Sequence, residues 1–389
     1  MTGHSNANGN LLGLDLLRLL AAVMVVFYHV GFQGFWGGDK FLSTIFSSSP
    51  SISDLIGHVG YFGWIGVEIF FVISGFVIYY TSEGATAFTF FRSRFVRLMP
   101  SAWIGATIAL VSAFVISHLD TSQIIRLYIK SIAIFPLGPW IISSLWTLPI
   151  ELSFYAIVFV LIFCNRLSHM VLVVSILGFC SVAYWSVYGY GLLIDHDVEL
   201  MFNGLSYEFT RLSLLHHGCF FAIGVLLCSA MMKHNYGRHL FLVPLFISAG
   251  ILEIISTNAI KVRETGIEQP SIVPVCIWLI AVALIINSVL YNEYLHKKLG
   301  HRAANAMRVA GMLTYPLYLV HESTAFLVMY LMAAHVGPYA AWTIGVISAF
   351  WISYLITMQW EPWLKNRTRI ALDLLYNAGG LSTGSPGSA

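Results

Sequence analysis

Runs of about twenty apolar residues, separated by short polar connections, recur along the whole chain, and a helix of that length crosses the hydrocarbon core of a bilayer. Such runs predict spans near 14–32, 61–80, 99–118, 144–163, 170–189, 210–230, 240–257, 272–290, 311–333 and 340–359, ten in all. One region resists the pattern. In 121–143, Arg126 and Lys130 precede IAIFPLGPWII, and the interruptions predict a re-entrant or interfacial segment instead of a span. The fold class expected is therefore all-α, a polytopic transmembrane helical bundle of about ten helices. No internal repeat, second soluble domain or long linker is visible. The pattern divides the chain into a polar N-terminal segment at 1–13, one transmembrane domain at 14–360 and a tail at 361–389. After Tyr376 that tail is Gly/Ser-rich and expected to be disordered.

Composition agrees. Of 389 residues, 58% are apolar or aromatic and only 10% are Asp, Glu, Lys or Arg, against about 25% charged in an ordinary soluble domain. That is too little polar surface to clothe a soluble core of this size, and the mean hydropathy of +0.79 says the same. A net charge of +2 with no basic stripe gives no surface for nucleic acid. Residues 1–10 lack Lys and Arg, and the first apolar run leads to Tyr28-His29 in place of a small-residue cleavage site, so a cleaved signal peptide is not expected. Cys164, Cys180, Cys219, Cys228 and Cys276 lie in apolar stretches without a CxxC or Cys/His pair, and read as small buried hydrophobes. No metal is expected.

The connections carry an orientation signal. With the N-terminus inside, Arg92, Arg94, Arg97, Arg166, Lys233, Arg238, Lys297, Lys298, Arg302, Arg308, Lys365, Arg367 and Arg369 are cytoplasmic. The other side holds Lys40, Arg126, Lys130, Lys261 and Arg263, while Arg18 and Arg211 sit in spans. This bias follows the positive-inside rule, and predicts an even number of spans with both termini in the cytoplasm.

Against this background several polar residues stand out, because an Arg or Asp in the hydrocarbon region costs at least about 2.5–3.5 kcal/mol. The first span carries Asp15, Arg18 and His29. Arg18 and His29 are eleven residues apart, so they share a face about 16 Å apart along the axis, and Asp15 is one turn from Arg18. Arg18 can equally snorkel to the surface, and His29 can be an interfacial histidine. In the second span Glu68 interrupts GWIGVEIFFVISGFVI, after Gly57, Gly60, Gly63 and Gly66. Close helix packing accounts for the glycines, but Glu68 needs a partner, a proton or water. In FFRSRFVRLMP, Arg94 and Arg97 point the same way on a helix; they suit a phosphate, or are ordinary positive-inside charges. Glu151 follows Pro149, where it suits a helix start or a functional role. The ninth span holds TYPLYLVHES, with His321 beside Glu322, again open to a structural hydrogen bond. Taken together, two histidines, two carboxylates and an arginine pair are harder to dismiss than any one alone.

Several motifs are missing. There is no GxxxxGK[ST] or GxGxxG phosphate loop and no HExxH zinc helix. The His-x4-Asp arrangement of glycerolipid acyltransferases and the GxSxG elbow of serine esterases are absent as well.

The segments LDLLRLLAAVMVVFYH, GWIGVEIFFVISGFVI, FFRSRFVRLMP, SSLWTLPIELSFY and TYPLYLVH, in this order, resemble the acyltransferase-3 family of integral-membrane acyltransferases, over roughly 14–360. The resemblance implies an O-acyltransferase in the bacterial cytoplasmic (inner) membrane. Such an enzyme moves acetyl, or another short acyl group, from cytoplasmic acetyl-CoA or another acyl-CoA onto a carbohydrate or lipid-linked glycan acceptor. Position by position, the family's Arg-x10-His falls on Arg18 and His29, and its Arg-x-x-Arg on Arg94 and Arg97. The tryptophan-led helix with its glutamate falls on Trp146 and Glu151, and the late Tyr-Pro-x-Tyr-x-x-His on Tyr315, Pro316, Tyr318 and His321. Glu68 stands where the family commonly has Asp. The length leaves no room for the SGNH hydrolase-like domain of some relatives, which implies a stand-alone member, acting by itself or with a separate polysaccharide-assembly partner.

On this basis Arg18, Arg94 and Arg97 are expected to hold the donor's phosphates, and His29 to act as general base or as a transient acyl carrier. Glu151, or failing it Glu68, is expected to orient His29, with His321 assisting. The same intramembrane Arg, His and Glu would also serve a proton-coupled transporter or flippase. Against that alternative stand the family resemblance and the lack of inverted-repeat symmetry.

Overall fold

The computed structural model describes residues 11–36, 57–193, 207–232 and 239–378. The expectations placed on 1–10, on Lys40, Lys233 and Arg238, and on the chain end after Ala378 lie outside the described residues. Among the described residues the protein is helical throughout, with no strand. The helices are α1 (Leu12–Val26), α2 (Gly66–Ser82), α3 (Ala87–Ile116), α4 (Thr121–Ile132), α5 (Thr147–Phe163), α6 (Met170–Leu193) and α7 (Tyr207–Leu212). They continue as α8 (Gly218–Met232), α9 (Val243–Thr265), α10 (Ile272–Leu290), α11 (Asn292–Lys298), α12 (His301–Met332), α13 (Pro338–Leu355) and α14 (Glu361–Ala378).

Eight helical stretches are long and apolar enough to cross a bilayer, and they coincide with eight of the ten predicted runs. The other two runs are helical as well. The one at 210–230 is not continuous: α7 ends at Leu212 and the fifteen-residue α8 begins at Gly218. Every residue from Gly218 to Ala230 is buried, so protein surrounds this short helix on all sides. Non-helical backbone deep in a membrane protein needs partners from neighbouring helices. Here Ser181 Oγ donates to Leu215 O (2.7 Å) and accepts from Cys219 N (3.2 Å), while Trp185 Nε1 donates to His216 O (2.8 Å). The run at 311–333 lies in α12, whose apolar stretch is diluted by Thr314, Tyr315, Tyr318, His321, Glu322, Ser323 and Thr324.

Some boundaries move. α3 starts at Ala87, under a capping box between Thr86 and Thr89, and runs through Pro100 where the apolar pattern places a start. Residues 361–378 form the helix α14, which lies against α3 through an Arg92–Asp373 ion pair at 2.6 Å and a stack of Phe88 on Tyr376 at 3.7 Å. The 121–143 region is the amphipathic α4 followed by an irregular stretch, too short to span. The cysteines divide. Cys219 and Cys228 are buried as expected, but Cys164, Cys180 and Cys276 are exposed. An apolar environment in such a bundle does not imply burial, because a small apolar side chain is as well placed facing lipid.

α12 packs against α13, α1 and α3, while α2 packs on α8 and α1. The glycine series permits the α1 contact. A Cβ at Gly60, Gly63 or Gly66 would overlap the carbonyl oxygens of Phe27, Met24 or Ala21 on the first helix, so the two backbones touch directly. Past Val26 that helix widens into a π-helical stretch, Phe27–Gln33, with His29 inside it. Trp342 Nε1 on α13 donates to Val30 O (3.1 Å), satisfying one of its carbonyls. Such wide turns recur at functional sites.

Candidate active site

Two groups of polar side chains lie inside the bundle along α1. At the end where α1 begins, Arg18 and Asp15 meet at 3.2 Å, as their spacing predicts. On α3, Arg94 and Arg97 are one turn apart. Arg94 is buried, donates to Thr81 Oγ1 at the end of α2, and lies 5.3 and 5.6 Å from the ring centres of Phe90 and Tyr155. Glu151 accepts from Tyr155 OH (2.5 Å) and Ser74 Oγ (2.8 Å). Tyr315 OH donates to Leu98 O at 3.2 Å. Arg18, Arg94 and Arg97 interact electrostatically with one another or with Glu151 and Tyr155. Tyr315 faces the same Glu151, Tyr155 and Arg97. Three guanidiniums against the carboxylates of Asp15 and Glu151 leave this group with one positive charge in excess. The arrangement suits a polyanion, since each guanidinium presents a planar fork of donors.

The second group is built on the π-helical stretch and on α12. His29 Nδ1 lies 3.0 Å from Glu322 Oε1, and the rings of His29 and His321 are 5.2 Å apart. His321 is fully buried; its Nδ1 is 2.9 Å from Tyr318 O and 3.2 Å from Leu317 O. A carbonyl only accepts, so Nδ1 carries the proton and the Nε2 lone pair is left open. That Nε2 is buried without a hydrogen-bond partner. By the same logic the Glu322 carboxylate calls for the proton of His29 on Nδ1, which leaves Nε2 as its basic atom. Tyr318, one turn below His321, is pinned by Ser144 O (2.9 Å) and Thr147 Oγ1 (2.8 Å) at the start of α5. Candidate ligand atoms of His29, His321 and Glu322 lie within 4.8 Å of one another, a spacing that suits a shared proton and would also admit a metal ion.

The structure thus brings together Asp15, Arg18, Arg94, Arg97, Glu151 and Tyr315 in one group, and His29 with His321 in the other. Glu151 does not take the position expected of it: the carboxylate against His29 is Glu322. Glu151 lies just past the first turn of α5, and its Oε1 accepts from both Ser74 on α2 and Tyr155. Trp146 caps α5 under the Arg211 guanidinium, 4.7 Å from its ring centre, and Arg211 donates to Trp146 O at 3.0 Å. Glu68 belongs to neither group; its cationic neighbour is Lys261. Sequence reasoning missed Glu322 as the His29 partner because it weighed Glu322 only as the neighbour of His321, and no spacing along one helix says which side chain on another it meets. It also missed Glu253, a fully buried carboxylate within a predicted span, which the rule that singled out Glu68 would have found.

A polytopic helical bundle with guanidiniums at one end and a carboxylate-backed imidazole pair in its interior has the parts of a membrane-embedded group-transfer protein. The comparisons agree. The sequence profile of the acyltransferase-3 family, an acyltransferase domain, matches residues 11–358, and the chain belongs to that family. Nodulation protein 10 of Rhizobium leguminosarum bv. viciae is 30% identical over an alignment covering 39% of this chain and 44% of that protein. The match therefore spans less than half of that relative's length. No solved structure matches. The chain therefore carries an acyltransferase domain, built as a bundle of helices long and apolar enough to cross a membrane.

Proposed function

We propose that the protein moves an acetyl or other short acyl group from acyl-CoA, bound at the cytoplasmic face, to a hydroxyl of a carbohydrate such as a surface or exopolysaccharide unit. The observation that supports this most is the pairing of His29 with Glu322 and His321, eleven residues along one helix from Arg18. That separation, about 16 Å, suits a donor whose phosphates rest on Arg18, Arg94 and Arg97 while its pantetheine arm carries the thioester inward.

In this reading His29 Nε2 takes the proton of the acceptor hydroxyl as its oxygen attacks the thioester carbonyl carbon. The C–S bond then breaks, and the departing thiolate takes that proton from His29. The products are an ester and free coenzyme A thiol. Glu322 holds the His29 ring and stabilises its charged form, as the carboxylate of a catalytic triad does. His321 Nε2 offers a second acceptor for the incoming hydroxyl.

The test is mass spectrometry of envelope glycans from cells carrying wild-type protein, His29→Ala or empty vector, beside thiol release from acetyl-CoA by purified protein. An acetyl mass and acceptor-dependent thiol release are expected with wild type alone. Solute flux with an intact thioester would favour a proton-coupled carrier, and full turnover by His29→Ala would overturn the mechanism. Thiol release is expected to survive dialysis against EDTA; loss restored by zinc would reassign His29, His321 and Glu322 to a metal.

A further inference from the structure

A third polar cluster adjoins His29. Lys261 Nζ on α9 donates to Tyr28 OH at 2.8 Å and lies 5.4 Å from the centre of the Trp64 ring. Tyr28 is next to His29 in the π-helical stretch, and their rings meet edge-on at 5.2 Å. Glu68 and Glu253 are near enough to Lys261, and to each other, to interact electrostatically. Glu253 Oε1 takes a hydrogen bond from Thr257 at 3.1 Å. Three polar atoms in this cluster have no hydrogen-bond partner although buried: Glu68 Oε2, Glu253 Oε2 and Trp64 Nε1. Their residues are only 3%, 2% and 5% exposed. Inside a helical bundle such atoms are costly to leave unmatched, and neither the packing of α2 nor the arginine group calls for them.

The cluster lies away from the donor end. Thr81, where Arg94 bonds, is thirteen residues along α2 from Glu68, about 20 Å of helix. An open recess of ≈ 500 Å³, lined by Val262, Glu268, Gln269 and Pro270, begins at the residue after Lys261. Asn258, one turn before Val262, ties the recess inward, donating to Gln269 O (3.0 Å) and accepting from Tyr61 OH (3.0 Å).

Unmatched carboxylate oxygens beside an unmatched indole N–H, an ammonium and aromatic rings suit a ligand that donates, accepts and presents apolar C–H faces at once. A sugar does all three: a hydroxyl can donate to Glu68 Oε2 while another accepts from Trp64 Nε1 or Lys261. We infer that Tyr28, Trp64, Glu68 and Lys261 form the subsite that receives a sugar acceptor and presents one of its hydroxyls to His29. This rests on the acyl-transfer reading above, and assigns donor and acceptor to opposite ends of the same helices.

The test is saturation-transfer difference NMR on the full-length protein in nanodiscs, with an equimolar set of methyl hexopyranosides and methyl N-acetylhexosaminides as probes. Wild type, His29→Ala and Arg94→Ala are expected to give sugar signals. Glu68→Gln and Lys261→Met are expected to lose about tenfold in amplitude, the scale of a lost charged hydrogen bond. Tyr28→Phe removes a single hydroxyl and serves if the charge variants do not fold; it is expected to weaken the signal, and Glu68→Asp to keep it. Undiminished signals in folded Glu68→Gln, Lys261→Met and Tyr28→Phe overturn the subsite, as does silence from every probe with wild type. Failure of the transfer reading looks different: His29→Ala would release thiol at the wild-type rate, whatever the sugar signals did.

Discussion

The arginine group and the imidazole group share α1 and α12, yet differ in how their polar atoms are met. At the arginine end, long flexible arms reach across helices. Asp15 meets Arg18, Glu151 takes two hydroxyl donors, and Arg18 and Asp15 each keep 17% of their side chains exposed. In the interior, the short rigid His321 ring is fixed through Nδ1 with its other nitrogen left open, and His29 Nδ1 lies 3.0 Å from the Glu322 carboxylate. A site that must catch and release a large anion profits from partial exposure and adjustable charge. A site that must move a proton needs a fixed lone pair in a dry place, because proton transfer tolerates little misplacement. The two designs share helices so that the distance between them stays constant.

The sharpest way to break this comparison is Glu322→Gln. It keeps the shape beside His29 and removes the charge, so turnover in the thiol-release assay is expected to fall about 100-fold, on the scale of general-base catalysis. The KM for acetyl-CoA should hardly move. If KM rises and kcat stays, the interior group binds the donor and the division of labour is wrong. Arg94→Ala should do the reverse, raising the KM for acetyl-CoA about tenfold or more, as loss of a charge-assisted hydrogen bond does, with Arg94→Lys recovering only part of it.

Gly63→Ala addresses the frame that holds the interior group. Its new methyl meets the Met24 carbonyl, and strain of this kind costs about 1–3 kcal/mol. A lower thermal midpoint is expected, with turnover falling more than donor affinity as the π-helical stretch shifts. An unchanged midpoint would mean that α1 and α2 can part without cost. The smallest effect is expected for Asp373→Asn, which breaks the pair to Arg92. Both partners are about a third exposed, and such pairs contribute about 0–1 kcal/mol. Thermal unfolding and KM should both stay near wild type; a large rise in KM would extend the donor site onto α14.

Much of the arginine end was legible in the chain. Charge inside an apolar run is rare enough to announce itself, and three-residue spacings along single helices anticipate that Asp15 meets Arg18 and that Arg94 and Arg97 lie one turn apart. The partners of His29 were less legible. Glu151 was expected there because the family resemblance places a glutamate in a tryptophan-led helix, but nothing in a one-dimensional pattern says which neighbouring helix it faces. Glu322 was visible as an intramembrane carboxylate. Its meeting with His29 depends on how α12 lies against a π-helical stretch, and the widening of that stretch has no periodic signature.

The amino-acid pattern alone therefore determined that the protein is a helical membrane bundle, where most of its long apolar helices lie, and which ionisable residues those runs cannot excuse. Burial in hydrocarbon is decided locally, residue by residue, so composition and spacing suffice to read it. The tertiary structure alone decided which of those residues meet. That depends on the rotation and crossing of helices whose outward faces are equally apolar toward lipid and toward protein. In such a bundle the contacts are chosen by glycine-sized gaps and by polar atoms that must find partners, and neither can be assigned until the helices are in place.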